Sequence, residues 1–462
     1  IDSLPFIIIN TNINQKNSSF LSKYAIVYNC NKKEELKTIV EIFGILNELK
    51  KKEKSLIDYT LTTMNKWNSD DPVIVFSFEE GQKIILDLAQ ILFELMNVNE
   101  KIIYTYENRI NSQKDDLIKI AIKSAIQACK SKYQLKLLGE LKIGIIIPTF
   151  KETEHLKLYS KNNPFGENAI NVKFQQIKWL IDQLDLIKIK LIFVGDNDER
   201  KSLEEVRLSA EQYKTENIEC EVIDVIQLAE HCKYPNINNL KQTIKGGSVM
   251  CGLYSLWTEG YNYAIYSDFD ITSSLAHIGS LIFELIKNNN ISVVSYSRRL
   301  ENSYGYYWGG KQNMVSSLFQ KINCELLNES ISDINVGFKA VCLNRIGRSL
   351  GKERCVDLAF DSELVILCKQ NGYGIKEIPG SFFHKYVEGK QGVFRDYNVM
   401  LNTTARLMRY HNFGCVEDSN LYKLMVVVGG FYNLVRFLET IKKENETNEE
   451  CISRLQKFTL EG

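Results

Sequence analysis

The sequence predicts an α/β protein with a mostly parallel central sheet, and three observations predict it. Short apolar runs recur from Ile143 to Val294, segments with helical spacing separate them, and glycine, proline, aspartate or serine follows several of the runs. At 462 residues the chain exceeds one average core, so two or three domains are expected. An apolar content of 44% with 25% charged residues is that of an ordinary soluble globular protein. Lysine plus arginine equals aspartate plus glutamate at 57 each, which gives no general attraction for nucleic acid.

The 11 cysteines show neither a C-x-x-C pair nor a zinc-like spacing. They read as reduced, buried thiols of a cytoplasmic protein. Leu4 to Ile9 is too short for a secretory leader and lacks a basic flank. The apolar stretch from Leu424 to Leu438 contains Asn433 and Arg436 and falls short of the roughly 20 residues that span a bilayer. It reads as a buried or interfacial helix, which leaves peripheral contact with a membrane open.

Taken in order, the first third reads as a small α/β unit. Tyr24–Tyr28 is a strand, and Leu36, Ile39, Val40 and Phe43 then recur at helical spacing. Val73–Phe76 is a second strand leading into a helix that carries Ile84, Ile85, Leu88, Ile91, Leu92 and Leu95, and Ile102–Tyr104 is a third strand. A polar helix from about Asp115 to Lys132 reads as a connector. Strands then follow at Ile143–Ile147, Leu191–Val194, Tyr263–Tyr266 and Ile291–Val294. The chain is helical again after about Gly389, and the charged stretch from Lys442 to Glu450 reads as a mobile tail.

Ligands of parallel sheets bind beyond the carboxyl ends of the strands, so the residues there matter most. Pro148-Thr149-Phe150-Lys151-Glu152 forms an exposed turn that presents backbone and Glu152 to a ligand. Asp196, in Gly195-Asp196-Asn197-Asp198, either accepts hydrogen bonds from a nucleoside or makes an Asx turn. Lys245-Gly246-Gly247-Ser248 opens a helix. There glycines would let a phosphate approach the backbone and lysine would add charge, unless this is an ordinary helix start. In Tyr266-Ser267-Asp268-Phe269-Asp270, two aspartates two apart in an extended segment point to one side. They can share a hard divalent ion with diphosphate oxygens. The same pair would suit a phosphatase of the haloacid-dehalogenase type, with one aspartate as nucleophile and Ser295 as a later strand-end hydroxyl.

These segments, together with Gln176–Leu180, Ser297-Arg298-Arg299, Asp333–Lys339 and Phe360–Leu364, resemble in order and spacing the family 2 glycosyltransferases. The likeness is to the dolichyl-phosphate sugar synthase type and its bacterial relatives, and it runs from about Ile143 to about Tyr397. It implies a Rossmann-like GT-A domain at 136–390, an N-terminal α/β accessory domain at 1–135 and a helical C-terminal extension at 391–462. By that resemblance Pro148, Thr149, Glu152 and Asp196 line the nucleoside pocket, and Lys245, Gly246 and Ser267 lie near the donor. Asp268 and Asp270 would hold Mg2+ or Mn2+ against the diphosphate, and Arg298 would face phosphate groups.

The resemblance also places Asp333 and Lys339 on the acceptor side and Asp361 and Glu363 near the reaction centre. Asp361 is the candidate base for a hydroxyl acceptor, or else a helix N-cap. His384 is a candidate metal ligand, or a histidine with a structural hydrogen bond. The implied activity is transfer of a sugar, a hexose by type, from a nucleotide-diphosphate donor with inversion. The acceptor is a glycan, small molecule, lipid phosphate or peptide. A binding protein that kept the fold without catalysis is the other alternative. Two departures stand out: a single Asp196 where the family usually has two aspartates, and no transmembrane helices, which weakens a polyprenyl-phosphate acceptor.

Overall fold

The structure is a computed structural model that describes residues 6–10, 25–29, 33–67, 75–76, 78–111, 117–196, 201–306, 311–383 and 393–461. The expected class is observed. Among the described residues the main sheet has seven strands: β3 (Leu141–Thr149), β4 (Ile187–Gly195), β5 (Ile218–Asp224), β6 (Tyr263–Ser267), β7 (Ile291–Ser297), β9 (Phe338–Cys342) and β10 (Gly374–Pro379). Their order is β10-β7-β9-β6-β3-β4-β5, and β9 runs antiparallel to both of its neighbours. Two small parallel pairs stand apart, β1 (Phe6–Asn10) with β2 (Ala25–Asn29) and β8 (Tyr304–Tyr306) with β11 (Ser381–Phe383).

The central strands are apolar on both faces because helices cover both. One core gathers Ile146, Ile192, Leu253, Leu256, Phe319 and Phe360. The other gathers Ile143, Ile145, Phe174, Phe193, Leu281 and Phe338. Strand β3 ends on Pro148 and Thr149, and β6 ends on Ser267, so the turns after them open at the same edge of the sheet.

The N-terminal third is more helical than its residues suggested. Ile102–Tyr104 lies inside the helix Glu100–Asn111, where Ile102, Ile103, Tyr106 and Ile110 share the buried face. Val75 and Phe76 form a short helical turn rather than a strand, and Val73 and Ile74 lie outside the described residues. The helix expected at about Asp115 to Lys132 is observed as Leu117–Leu138, but it is a core element and not a polar connector, because it buries Ala121, Ala125, Ile126, Ala128 and Cys129. It packs against the helix Ile278–Lys287, and Ser131 Oγ accepts the Gly279 N–H at 2.9 Å. The third core therefore spans the N-terminal helices and reaches Ala276 and Phe383 on the sheet side.

Two further expectations change. The stretch from Leu424 to Leu438 breaks at Gly429 and Gly430 into the helices Asn420–Val427 and Phe431–Ile441, which meet at 101°. No single helix among the described residues is long and apolar enough to cross a membrane. The charged tail leads into the helix Asn448–Glu461, which buries Cys451 and Ile452 while Arg454 pairs with Glu446 at 2.7 Å. The ten described cysteines are all free thiols.

Candidate active site

The turn after β6 brings the expected carboxylates to the sheet edge. The Asp268 N–H donates to Gly337 O at 2.9 Å, which prolongs the pairing of β6 with β9 by one residue. A Cβ on Gly337 would lie 2.1 Å from Asp268 Oδ2, so only glycine leaves room for this carboxylate. The Asp270 carboxylate accepts the Thr272 N–H at 3.1 Å, and the Ile271 N–H donates to Glu167 Oε2 at 3.1 Å. The turn is thus pinned from two directions with both aspartates in place.

Cations and further acids surround it. Lys245 Nζ forms an ion pair with Asp268. Burial works against the Lys245 charge, but Asp268, Asp361 and Asp270 outweigh it and hold the ammonium above its usual range. Lys173 is fully buried with Nζ 3.3 Å from Ser267 Oγ. Burial pulls its ammonium down against the support of Asp270, Asp268, Glu167 and Glu152. Burial raises the Glu152 carboxyl to about 8, with Asp270 and Asp268 adding to the shift and His155 opposing it. His155 Nδ1 lies 3.2 Å from Glu167 Oε2, and its Nε2 lies 3.9 Å from Glu152 Oε2.

These residues fit a hard cation of the Mg2+ or Mn2+ kind. Asp268 and Asp270 supply oxygen donors, and the Lys245 ammonium pairs with Asp268 Oδ1. Among the described residues no group of three or more His, Cys, Asp or Glu side chains could hold a metal alone. Two carboxylates completed by substrate phosphate oxygens are the usual protein share for Mg2+. His384 lies outside the described residues.

Several candidates are placed for other work. Asp196 is fully buried; its carboxylate accepts from the Lys245 N–H and from Ser248 Oγ, the latter at 3.1 Å. It braces the Lys245 turn instead of facing a ligand. The expected phosphate contact through the Gly246 and Gly247 backbone is not available, because both N–H groups are already used. Gly246 N donates to Ile244 O at 2.7 Å and Gly247 N to Thr243 Oγ1 at 2.8 Å. The glycines are needed for packing, since a Cβ on Gly246 would meet Asp357 O at 2.4 Å. Pro148 and Thr149 belong to β3 itself and Thr149 is buried. Ser267 is buried too, and its hydroxyl donates to Asp268 O at 3.1 Å.

The acceptor-side candidates form closed pairs. Asp333 is fully buried and takes Arg298 in a two-pronged ion pair, Nε to Oδ2 at 2.7 Å and Nη2 to Oδ1 at 2.8 Å. Burial would raise its carboxyl, yet Arg298 holds it below the usual range. The structure therefore makes Asp333 an anchor for Arg298, which stays partly exposed. Asp361 is buried beneath Lys339 Nζ at 2.8 Å and the Tyr266 hydroxyl. It does not cap its helix, which starts at Phe360 after Ala359. Both contacts of Asp361 are made to its Oδ1. Glu363 accepts from Arg354 N at 2.9 Å and Cys355 N at 2.8 Å and lies 2.6 Å from His411 Nε2. It ties the helix Val393–Tyr410 to the core. Ser295, the hydroxyl a phosphatase would use, is fully buried and donates to Tyr296 O at 2.8 Å.

Glu167, His155, Lys173 and Gly337 stand at this turn although none was singled out for it in the sequence. Glu167 and Ile271 are 104 residues apart and belong to no common motif.

No family model matches the sequence. Among solved structures the chain is similar to glucosyl-3-phosphoglycerate synthase from Mycobacterium tuberculosis with uridine diphosphate, at 12% identity over 64% of this chain and 85% of that one, with a TM-score of 0.35. The same enzyme with Mn2+, uridine diphosphate and glucosyl-3-phosphoglycerate gives 13% identity over 61% and 84%, with a TM-score of 0.38. A mannosyltransferase from Pyrobaculum calidifontis with GDP-mannose and Mn2+ gives 10% identity over 73% and 92%, with a TM-score of 0.34. At these scores the likeness is loose, and the functional reading rests on the residues of this chain.

Proposed function

We propose that this chain is a metal-dependent glycosyltransferase of the family 2 kind, moving a hexose from a nucleotide-diphosphate donor to an acceptor with inversion. The observation that carries the reading is the Asp268–Asp270 pair, fixed at the end of β6 with Lys245 beside it. Mg2+ or Mn2+ held by these aspartates would supply charge to stabilise the departing diphosphate.

The chain's own residues do the rest. Lys245 places an ammonium where phosphate negative charge would gather. Glu152, on the turn after β3 and close to Asp268 and Asp270, would line the donor side of the site. Arg298, oriented by Asp333 and partly exposed, would bring positive charge toward an anionic donor or acceptor. With Asp361 locked under Lys339, an acceptor that is already anionic fits better than a hydroxyl that needs a base.

The test is a thermal-shift screen of nucleoside diphosphates and nucleotide sugars with and without Mn2+. A metal-dependent stabilisation is expected in the wild type and should vanish in Asp270→Ala. A variant that responds to donor plus Mn2+ as wild type does would refute the metal assignment.

A further inference from the structure

We infer that Glu167 is the positioning residue of the Asp268–Asp270 turn, held by His155 and steadied by the N-terminal helix Glu79–Val98. The inference rests on the role proposed for the two aspartates and adds a residue that none of the motifs contains.

The turn needs such a residue. Ile271 is almost fully buried, so its N–H must find a partner inside the protein or cost free energy. Asp268 N is satisfied by Gly337 and Thr272 N by the Asp270 carboxylate, and Ile271 N lies on the stretch between them. Glu167 Oε2 meets it at 3.1 Å. That contact fixes the peptide joining Asp270 to Ile271.

Glu167 is an expensive choice for the task. Its carboxylate is buried, and it lies near Glu152, Asp268 and Asp270, all of the same sign. A buried acid is tolerated only when paired and hydrogen-bonded. His155 Nδ1 at 3.2 Å provides the pairing. A second support comes through the next residue. Asn168 adopts φ 48° and donates through Nδ2 to Glu79 Oε2 at 3.1 Å, and its N–H donates to Lys157 O at 3.0 Å. The loop that carries Glu152 and His155 is thereby closed on itself, docked on the N-terminal unit and joined to the Asp268–Asp270 turn through the Glu167 carboxylate.

Glu167→Ala, Glu167→Gln and His155→Ala separate positioning from bulk stability. Amide hydrogen exchange is followed at Ile271 and Thr272 without metal. Mn2+ affinity is then measured by electron paramagnetic resonance with uridine diphosphate or guanosine diphosphate present. Glu167→Ala should speed exchange at Ile271 and weaken Mn2+ at least tenfold. Glu167→Gln keeps an acceptor oxygen and should stay within about threefold of wild type. His155→Ala leaves the turn's own contacts intact and should fall between them, which keeps the test usable if Glu167→Ala does not fold.

Unchanged exchange in the folded alanine variant, or a glutamine variant as weak as alanine, would overturn the inference. A wild type that takes up no Mn2+ with either diphosphate would instead refute the proposed function, while the exchange rates would still decide whether Glu167 holds the turn.

Discussion

Gly337 has no side chain because the Asp268 carboxylate occupies the space that one would need. An added Cβ would come within 2.2 Å of three carboxylate atoms, closer than any relaxed contact. Either Asp268 or strand β9 must move, and β9 is held between β6 and β7. Gly337→Ala should therefore displace the carboxylate and reduce Mn2+-dependent nucleotide binding at least tenfold. The overpacking should cost about 1–3 kcal/mol in a denaturant titration. Calorimetric titration of a nucleoside diphosphate with Mn2+ checks the first part, and wild-type affinity would show that Asp268 is not where the cation binds. At this scale the aspartate pair was legible because an apolar strand precedes it. Asp196, Asp333, Asp361 and Glu363 were legible only as acids near strand and helix ends. Their partners, Lys245 N, Arg298, Lys339 and His411, lie 22 to 49 residues away, and no local pattern records whether a carboxylate is free or spent.

Among the elements, the helix Glu79–Val98 is bound to the site by a relay of buried side-chain amides. Gln82 Nε2 donates to Phe76 O at 2.8 Å, Gln176 Nε2 donates to Gln82 Oε1 at 3.1 Å, and Leu275 N donates to Gln176 Oε1 at 2.9 Å. Leu275 stands five residues after Asp270, so the relay ends on the backbone that leaves the Asp268–Asp270 turn. Gln176→Leu would strand two buried groups, the Leu275 N–H and Gln82 Oε1, at about 1–3 kcal/mol each. A loss of about 2–6 kcal/mol is expected from urea midpoints, and a loss below about 1 kcal/mol would mean that the relay contributes little. Strands β3, β4, β6 and β7 were readable because each is a near-continuous apolar run, as strands covered by helices on both faces are. Ile102–Tyr104 misled because Ile-Ile-Tyr-Thr-Tyr has strand-like composition, while the wider spacing of Ile102, Ile103, Tyr106 and Ile110 is helical. Strands β5, β9 and β10 were missed: β5 mixes Glu219, Cys220 and Glu221, β10 is half-buried throughout, and β9 follows the turn-rich Asp333 segment.

For the whole molecule, the junction between the N-terminal helices and the sheet carries a titratable group that makes stability depend on pH. His277 is buried, with Nε2 3.1 Å from Ser124 O on the helix Leu117–Leu138, and the Tyr296 ring centroid is 6.0 Å from its own. Among the described residues no acid shifts its charge balance, and its Nδ1 has no hydrogen-bond partner. Burial pulls its pKa down to about 4, against 6.5 for an ordinary histidine, with the Ser124 carbonyl opposing in part. Above the ordinary value neither folded nor unfolded chain binds the proton, so His277 costs nothing. As pH falls below it the unfolded chain binds the proton first, and stability drops by about 1.4 kcal/mol per unit until the folded pKa is reached. From pH 6.5 to 5 this amounts to about 2 kcal/mol. His277→Gln removes the proton site, so urea midpoints of the variant should depend less on pH over that window than those of wild type. The difference should disappear as the pH rises past 7, where both chains are neutral at this position. Equal slopes for the two proteins would mean that the histidine is hydrated and titrates as an exposed one, and that the helix Leu117–Leu138 packs less tightly on the sheet than its contacts with Ser131 and Ser124 indicate.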